Sequence, residues 1–303
     1  MSWKTAVRLI IGLLIIGAML YSFDLNQVVV TISSARPLYL FFGVLTYSIT
    51  FLLLSIRWKT ILSGMGEALP LKRAYQACTG GILLSDLTPA RIGDLSRALM
   101  IKDQIDLEKG VASVIIDRSI DLFTIFLISF SGLLLFYDIL SGYLLVAASS
   151  LLIILFTISF LWLKRRFMIQ KVEKFGWKRL TEHARTFEDS LRRIDDGTEL
   201  MIKSVLLTIT AWITHALRMV LVAKSVGYDV PITVLFFLQP LVSALSLLPF
   251  TISGLGLVEG GLTALLSKLG VPLAAGIAIA LIDRAITVAF HILIGLRYAA
   301  RML

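Results

Sequence analysis

Cysteine is nearly absent from this 303-residue chain: Cys78 stands alone, so no intrachain disulfide can form. Histidine is scarce too, and three of them with one cysteine do not make a zinc site. Charge is thin, with 16% Asp, Glu, Lys and Arg against 57% hydrophobic residues, which excludes an ordinary soluble domain. There is no Gly-x-x-x-x-Gly-Lys-Ser/Thr loop to cradle a nucleotide and no His-Glu-x-x-His zinc helix. A Gly-x-Ser-x-Gly nucleophile elbow is also missing. The expectation is therefore a protein without catalytic residues, metal or cofactor. The long apolar runs do not alternate with period two, so they read as helices and not as the strands of a membrane barrel.

What is present is several apolar runs near the roughly 20 residues that cross a bilayer as a helix. The expected class is an all-α polytopic membrane protein with about six full spans and two re-entrant, broken-helix hairpins in an inverted repeat. Lys4 and Arg8 mark the cytoplasmic start of a first span over about 6–23 that has no small-x-small cleavage site behind it and is read as retained. An external loop over 24–36 follows, then a span over 38–56. Arg57, Lys59, Lys72 and Arg73 read as cytoplasmic charge that returns the chain inside. The whole chain, 1–303, is expected to be one transmembrane domain: a first repeat at about 38–137, a connecting span at 139–163, a basic amphipathic segment at 164–200 and a second repeat at about 201–303. Both termini are placed in the cytoplasm of a multi-pass cell-membrane protein. The net charge of +9 is assigned to this bias and to anionic lipid, not to nucleic acid.

Two stretches interrupt the hydrocarbon. The first contains Thr88, Pro89, Arg91, Gly93, Asp94 and Arg97, with Asp117-Arg118 beyond it. The second contains Pro249, Ser253, Gly254, Gly256 and Glu259, with Asp283-Arg284 beyond it. The segment from Ile105 to Arg118 lies over Val271 to Arg284 without a gap. Each break is expected to divide a hairpin whose second limb starts as a half-helix, at Thr88-Pro89 and at Ser253-Gly254. Such helix starts would aim backbone N–H groups at a buried anion.

An ionisable side chain at a span centre costs at least about 2.5 to 3.5 kcal/mol on insertion scales, so these charges must be partnered or wet. Asp117 and Asp121, four apart, share a helix face, and Arg118 reaches Asp121 at i,i+3. Two carboxylates on one face need a proton or a cation between them, and Arg91 or Arg97 is the candidate. In the second repeat Thr287 replaces Asp121. The candidate substrate-binding set is Arg91, Asp94, Arg97, Asp117, Arg118, Asp121, Glu259, Asp283 and Arg284. The competing reading is structural, with Arg–Asp pairs pinning hairpin to span. His215, Arg218 and His291 read as packing.

With Pro89-x-Arg91-x-Gly93-Asp94-x-x-Arg97, the Asp117-Arg118 helix and Pro249 followed by Gly254-x-Gly256-x-x-Glu259, the chain resembles the lysylphosphatidylglycerol synthase transmembrane region from about Leu9 to Leu303. Asp94 stands where that pattern has Glu, a departure. This flippase-like family includes the membrane half of the multiple peptide resistance factor. The resemblance implies movement of a phospholipid or lipid-linked headgroup between leaflets, with membrane lipids as partners and a separate lipid-modifying enzyme as a further candidate. A soluble transferase domain is not expected behind the last span, and neither is lysyl transfer by this chain alone. Two other classes stay open: an ion-coupled carrier of a small anionic solute, and a membrane transferase with Asp94 or Glu259 as general base.

Overall fold

A computed structural model describes residues 3–21, 25–86, 88–136, 198–248 and 250–298, together with the single positions 138, 149 and 153. The described residues hold helices and no strand. Of the expected segments, most of 139–163 and 164–197 lies outside the described residues, as do Pro249 and the last five residues.

Helix α1 (Trp3–Tyr21) is followed by a short α2 (Leu25–Ser33), so the expected loop over 24–36 is largely helical. Its Val28 packs with Ile277 and Ala278, which explains why an apolar nine-residue segment stays folded. Pro37 opens α3 (Pro37–Gly64), its fixed φ suiting the first helical position. At 28 residues α3 overruns the predicted 38–56 span and carries Arg57 and Lys59 inside the helix.

Helix α4 (Leu71–Asp86) enters the bundle and stops. Thr88 is extended, Pro89 takes the first turn, and the return limb is a 3₁₀ turn (Pro89–Leu95) running into a one-turn α5 (Ser96–Leu99). A second α-helical limb was the expectation. The tighter turn has a local cause: the Gly93 N–H donates to Thr88 Oγ1 at 2.7 Å, and a Cβ on Gly93 would lie 2.2 Å from the Leu84 carbonyl oxygen. Helix α6 (Leu107–Leu135) then runs 29 residues with Asp117, Arg118 and Asp121 along it.

The second half repeats this order. Helix α7 (Thr198–Ser225) is followed by α8 (Ile232–Ala244), which closes in a 3₁₀ turn over Leu245–Leu247. A second turn (Ile252–Gly254) leads into α9 (Leu257–Lys268). Helix α10 (Leu273–Phe290) ends in a π turn over His291–Gly295. Ser253, Gly254 and Gly256 all have positive φ at this break. For Ser253 (φ 50) that conformation is unfavourable and must be held by its surroundings.

Each half has its own apolar core. Trp58, Leu62, Ala74, Ala98, Ile101 and Val114 join α3 to α6; Met219, Val222, Leu235, Leu262, Leu266 and Ile279 join α7 to α10. The halves meet where α3 lies along α7, where α6 packs on α8, and at the breaks, the 89–95 turn touching both the 245–247 and 252–254 turns. Helix α1 closes over the second break; a Cβ on Gly256 would sit 2.7 Å from Ile15 Cβ. Outward-facing positions such as Leu14, Leu38, Phe41, Leu134, Leu135 and Leu293 are apolar and exposed, a coat suited to lipid. By length and composition Pro37–Gly64, Glu199–Ser225 and Leu273–Tyr298 can cross a membrane.

The arrangement generates a topology test. In a Cys78→Ser background, cysteines placed at Asp138, Asp229 and Lys268 are expected to react with an impermeant maleimide from one side of the membrane, and one at Asp103 only from the other. Labelling of positions 103 and 138 from the same side would remove α6 as a crossing helix.

Candidate functional site

The intramembrane charges do not scatter; they close into a ring. On α3, Arg57 donates from Nε to Asp117 Oδ1 at 2.7 Å and from Nη1 to Asp121 Oδ1 at 3.2 Å. The other Asp117 oxygen accepts from Arg97 Nη2 at 2.7 Å, and that nitrogen lies 3.2 Å from Asp94 Oδ2. Asp94 Oδ2 accepts from Arg118 Nε at 2.6 Å, and Arg118 Nη1 donates to Asp121 Oδ2 at 3.3 Å, completing the circuit. Three arginines thus alternate with three aspartates, so each charge is flanked by two of opposite sign. Thr208 on α7 takes a further Arg57 bond at 2.9 Å, and the Arg97 guanidinium lies 4.8 Å over the Trp58 ring.

Asp117 and Asp121 do share a helix face, and the described cation that bonds both is Arg57, while Arg97 bonds Asp117. The Arg91 side chain lies outside the described residues. Arg57 was read as a topogenic loop charge because it ends an apolar run beside Lys59. Only the extra turns of α3 and their packing against α6 reveal it as a ring member.

The second half has the same two outer pairs. Arg218 on α7 takes the place of Arg57, with Nη2 3.2 Å from Asp283 Oδ2. Arg284 bonds Glu259 as Arg118 bonds Asp94. The ring cannot close here: Leu262 stands three residues after Glu259 where Arg97 follows Asp94, and Thr287 stands where Asp121 would be. Among the described residues, Arg218 Nε and Nη1, Arg284 Nη2, Gln239 Oε1 and Asp283 Oδ1 are buried without a hydrogen-bond partner; the first half leaves only Arg97 Nε of its ring in that condition. Asp283 Oδ1 lies 3.1 Å from Arg218 Nη2 but without hydrogen-bond alignment. The open valences therefore sit mainly in the second half.

Between the halves runs a clasp that the sequence did not signal. Asp86, at the end of α4, accepts from Ser253 Oγ at 2.9 Å and bonds His291 Nδ1. His291 Nε2 meets the Tyr47 hydroxyl at 2.6 Å, and Arg218 stacks 4.4 Å over the Tyr47 ring. His215 joins Arg218 to Gln239, with Gln239 Nε2 3.0 Å from its Nδ1. The π turn at His291 points the imidazole at the first break, a local widening often found at functional positions.

Ring, open half and clasp all line one cavity of about 190 Å³. Asp94, Arg97, Asp117, Arg118, Asp121, Glu259, Asp283 and Arg284 are all on its wall, with Arg57, Asp86, His215, Arg218 and His291 added by the structure. Ser253 lines it as well, whereas Thr88 and Gly93 shape the first turn from behind. Gly254 and Gly256 bend the second break. The described lining sets five arginines against six carboxylates, so it carries no excess of positive charge. At each break one backbone N–H that an anion could meet is taken by the chain itself. At the first break the Gly93 N–H is taken by Thr88, and at the second the Gly256 N–H donates to Glu259 Oε2 at 2.7 Å, Glu259 capping its own helix.

These features define a helical membrane protein built from two like halves around a buried, polar, charge-lined cavity. The chain matches the family described as the lysylphosphatidylglycerol synthase TM region over residues 5–295, and it belongs to that family. Its relatives include a UPF0104 membrane protein of Methanothermobacter thermautotrophicus, 24% identical over 95% of this chain and 92% of that one. Another, from Methanocaldococcus jannaschii, is 22% identical over 96% and 93%, and a third, from Pyrococcus horikoshii, 21% identical over 96% and 95%.

Removing one ring member leaves its neighbours buried and uncompensated, a loss of about 3 to 5 kcal/mol for a fully buried pair. Arg57 is 2% exposed, Arg118 31% and Asp121 18%. In detergent, thermal unfolding should fall most for Arg57→Ala, less for Arg118→Ala and least for Asp121→Asn. Equal melting temperatures for Arg57→Ala and Asp121→Asn would break the ring as a structural unit.

Proposed function

We propose that this protein is a lipid flippase or scramblase-like transporter that moves a phospholipid or lipid-linked headgroup between the leaflets of the cell membrane. The observation that carries the reading is the pair Arg218 and Arg284, which line the charged cavity and hold buried guanidinium nitrogens that the protein itself does not satisfy. Guanidinium forks match phosphate oxyanions, and charge-assisted bonds to them are about twice as strong as neutral ones. A headgroup phosphate would draw Arg218 and Arg284 away from Asp283 and Glu259, and that movement would bring their unpartnered N–H groups to it. The closed ring of the first half would hold its elements together meanwhile. The family is consistent with a lipid-related membrane role. In the topology we propose, the halves are inverted and each broken hairpin is re-entrant, so their like ion pairs exchange accessibility as one half rocks against the other.

A second reading is favoured by one quantity. The cavity, at about 190 Å³, takes a headgroup but not a whole lipid, so a carrier of a small anionic solute fits the same walls. A transferase with Asp94 or Glu259 as general base fits less well, since Asp94 is held by Arg118 and Arg97 and Glu259 by Arg284 and the Gly256 N–H.

Reconstitution separates these. Vesicles containing the protein should move headgroup-labelled phospholipid across the bilayer with the lipid chemically unchanged. Accumulation of a soluble phosphate ester without lipid movement would favour the carrier, and a modified lipid the transferase. Glu259→Gln keeps an oxygen to cap Gly256 but loses the charge opposite Arg284, so the protein should stay folded. Its lipid movement should fall about tenfold or more, the scale of one charged hydrogen bond worth about 1.5 to 3 kcal/mol. Undiminished transport in that variant would reduce Glu259 to a helix cap.

A further inference from the structure

Beside the charged cavity lies a second one of about 330 Å³, and its chemistry is different. Its walls are mainly apolar, with Ile115 and Leu122 of α6, Ile92 and Leu95 of the first break and Leu247 of the second, beside Trp212 and three serines. Along one edge it shares Asp94, Arg118 and Asp121 with the charged cavity. Its other rim reaches the apolar surface, where Ile92 is 61% exposed. Arg118 stands on the boundary; at 31% it is the most exposed arginine of the described lining, while Arg57, Arg97 and Arg218 are buried. A polar chamber, a half-exposed guanidinium and a mainly apolar trough open to the lipid-facing coat therefore follow one another without interruption.

We infer that this trough receives an acyl chain of the lipid whose headgroup enters the charged cavity past Arg118. It rests on the transport reading above and narrows it: the substrate is an amphiphile with a hydrocarbon tail, not a free anion. Both ends of such a molecule find their match here. The phosphate meets arginine, and the chain replaces one apolar surrounding with another, so it keeps contact with hydrocarbon while the headgroup leaves the interface. A soluble phosphate ester gains nothing from the trough. Its place between the 89–95 turn and the 245–247 turn also puts the chain against both breaks, which touch each other.

The test uses the full-length protein in vesicles of phosphatidylcholine and phosphatidylglycerol, doped with a phospholipid that carries a photoactivatable diazirine in one acyl chain. Adducts are expected at Ile115, Ser119 and Leu122. Adducts confined to the outer positions Leu134 and Leu135, with lipid movement intact, would overturn the inference while leaving the transport reading standing. Adducts in the trough without lipid movement would sink transport and leave the acyl site. Ser119 lines only the trough and bonds the Ile115 carbonyl of its own helix at 2.8 Å, so Ser119→Phe fills the trough at little structural cost. That variant should lose both the adducts and lipid movement yet bind glycerol phosphate like the unaltered protein. Lipid movement at the unaltered rate in Ser119→Phe would overturn the inference. Should the variant fail to insert, the adduct map of the unaltered protein decides alone.

Discussion

The structure depends on the closed circuit of Arg57, Asp117, Arg97, Asp94, Arg118 and Asp121. Charge taken out of water is costly, and a single buried pair barely recovers that cost. A ring does better because each ion has two opposite neighbours and the whole is neutral. It also ties α3, the first broken hairpin and α6 at one depth, with Thr208 extending it to α7. The 3₁₀ turn and the one-turn α5 behind the first break carry Asp94 and Arg97, three residues apart, and both face α6.

The second half keeps the outer pairs and omits the closure. Leu262 and Thr287 stand at the two positions that would complete a ring, and the result is a set of buried donors that the protein itself does not satisfy. A polar group left unpaired in a low-dielectric interior is costly and persists only where the surrounding fold outweighs it. The same half holds Ser253 at positive φ and a π turn at His291, both fastened to Asp86 of the other half. Rigidity is thus concentrated in one half, and strain and open valences in the other. That division suits a protein whose two halves move against each other around a ligand.

Several of these residues were legible in the chain because charge is conspicuous in hydrocarbon. Asp117-Arg118 and Asp283-Arg284 interrupt long apolar runs, and their gapless alignment marked the two halves. The i,i+4 spacing placed Asp117 and Asp121 on one face. Arg57 was masked by Lys59 beside it, a pair that satisfies the rule for cytoplasmic charge. His215 with Arg218, and His291, look like isolated polar patches on apolar helices, and no local spacing tells a packed histidine from one facing a cavity. At the breaks, Thr88 and Glu259 already accept from the Gly93 and Gly256 N–H groups, local bonds that the reading of the helix ends as anion sites did not include.

By itself the sequence determined the helical membrane class, the chain positions where α4 and α8 stop, and the asymmetry at Thr287. Those follow from composition, periodicity and backbone chemistry, all of which act over a few residues. Which arginine meets which carboxylate was decided only by the tertiary structure. Arg57 and Asp117 lie 60 residues apart, and Asp86 and His291 lie 205 apart. No local rule reaches that far. Those partners are fixed by the way the apolar faces of α3, α6, α7 and α10 pack, and the packing leaves the polar cavity between them.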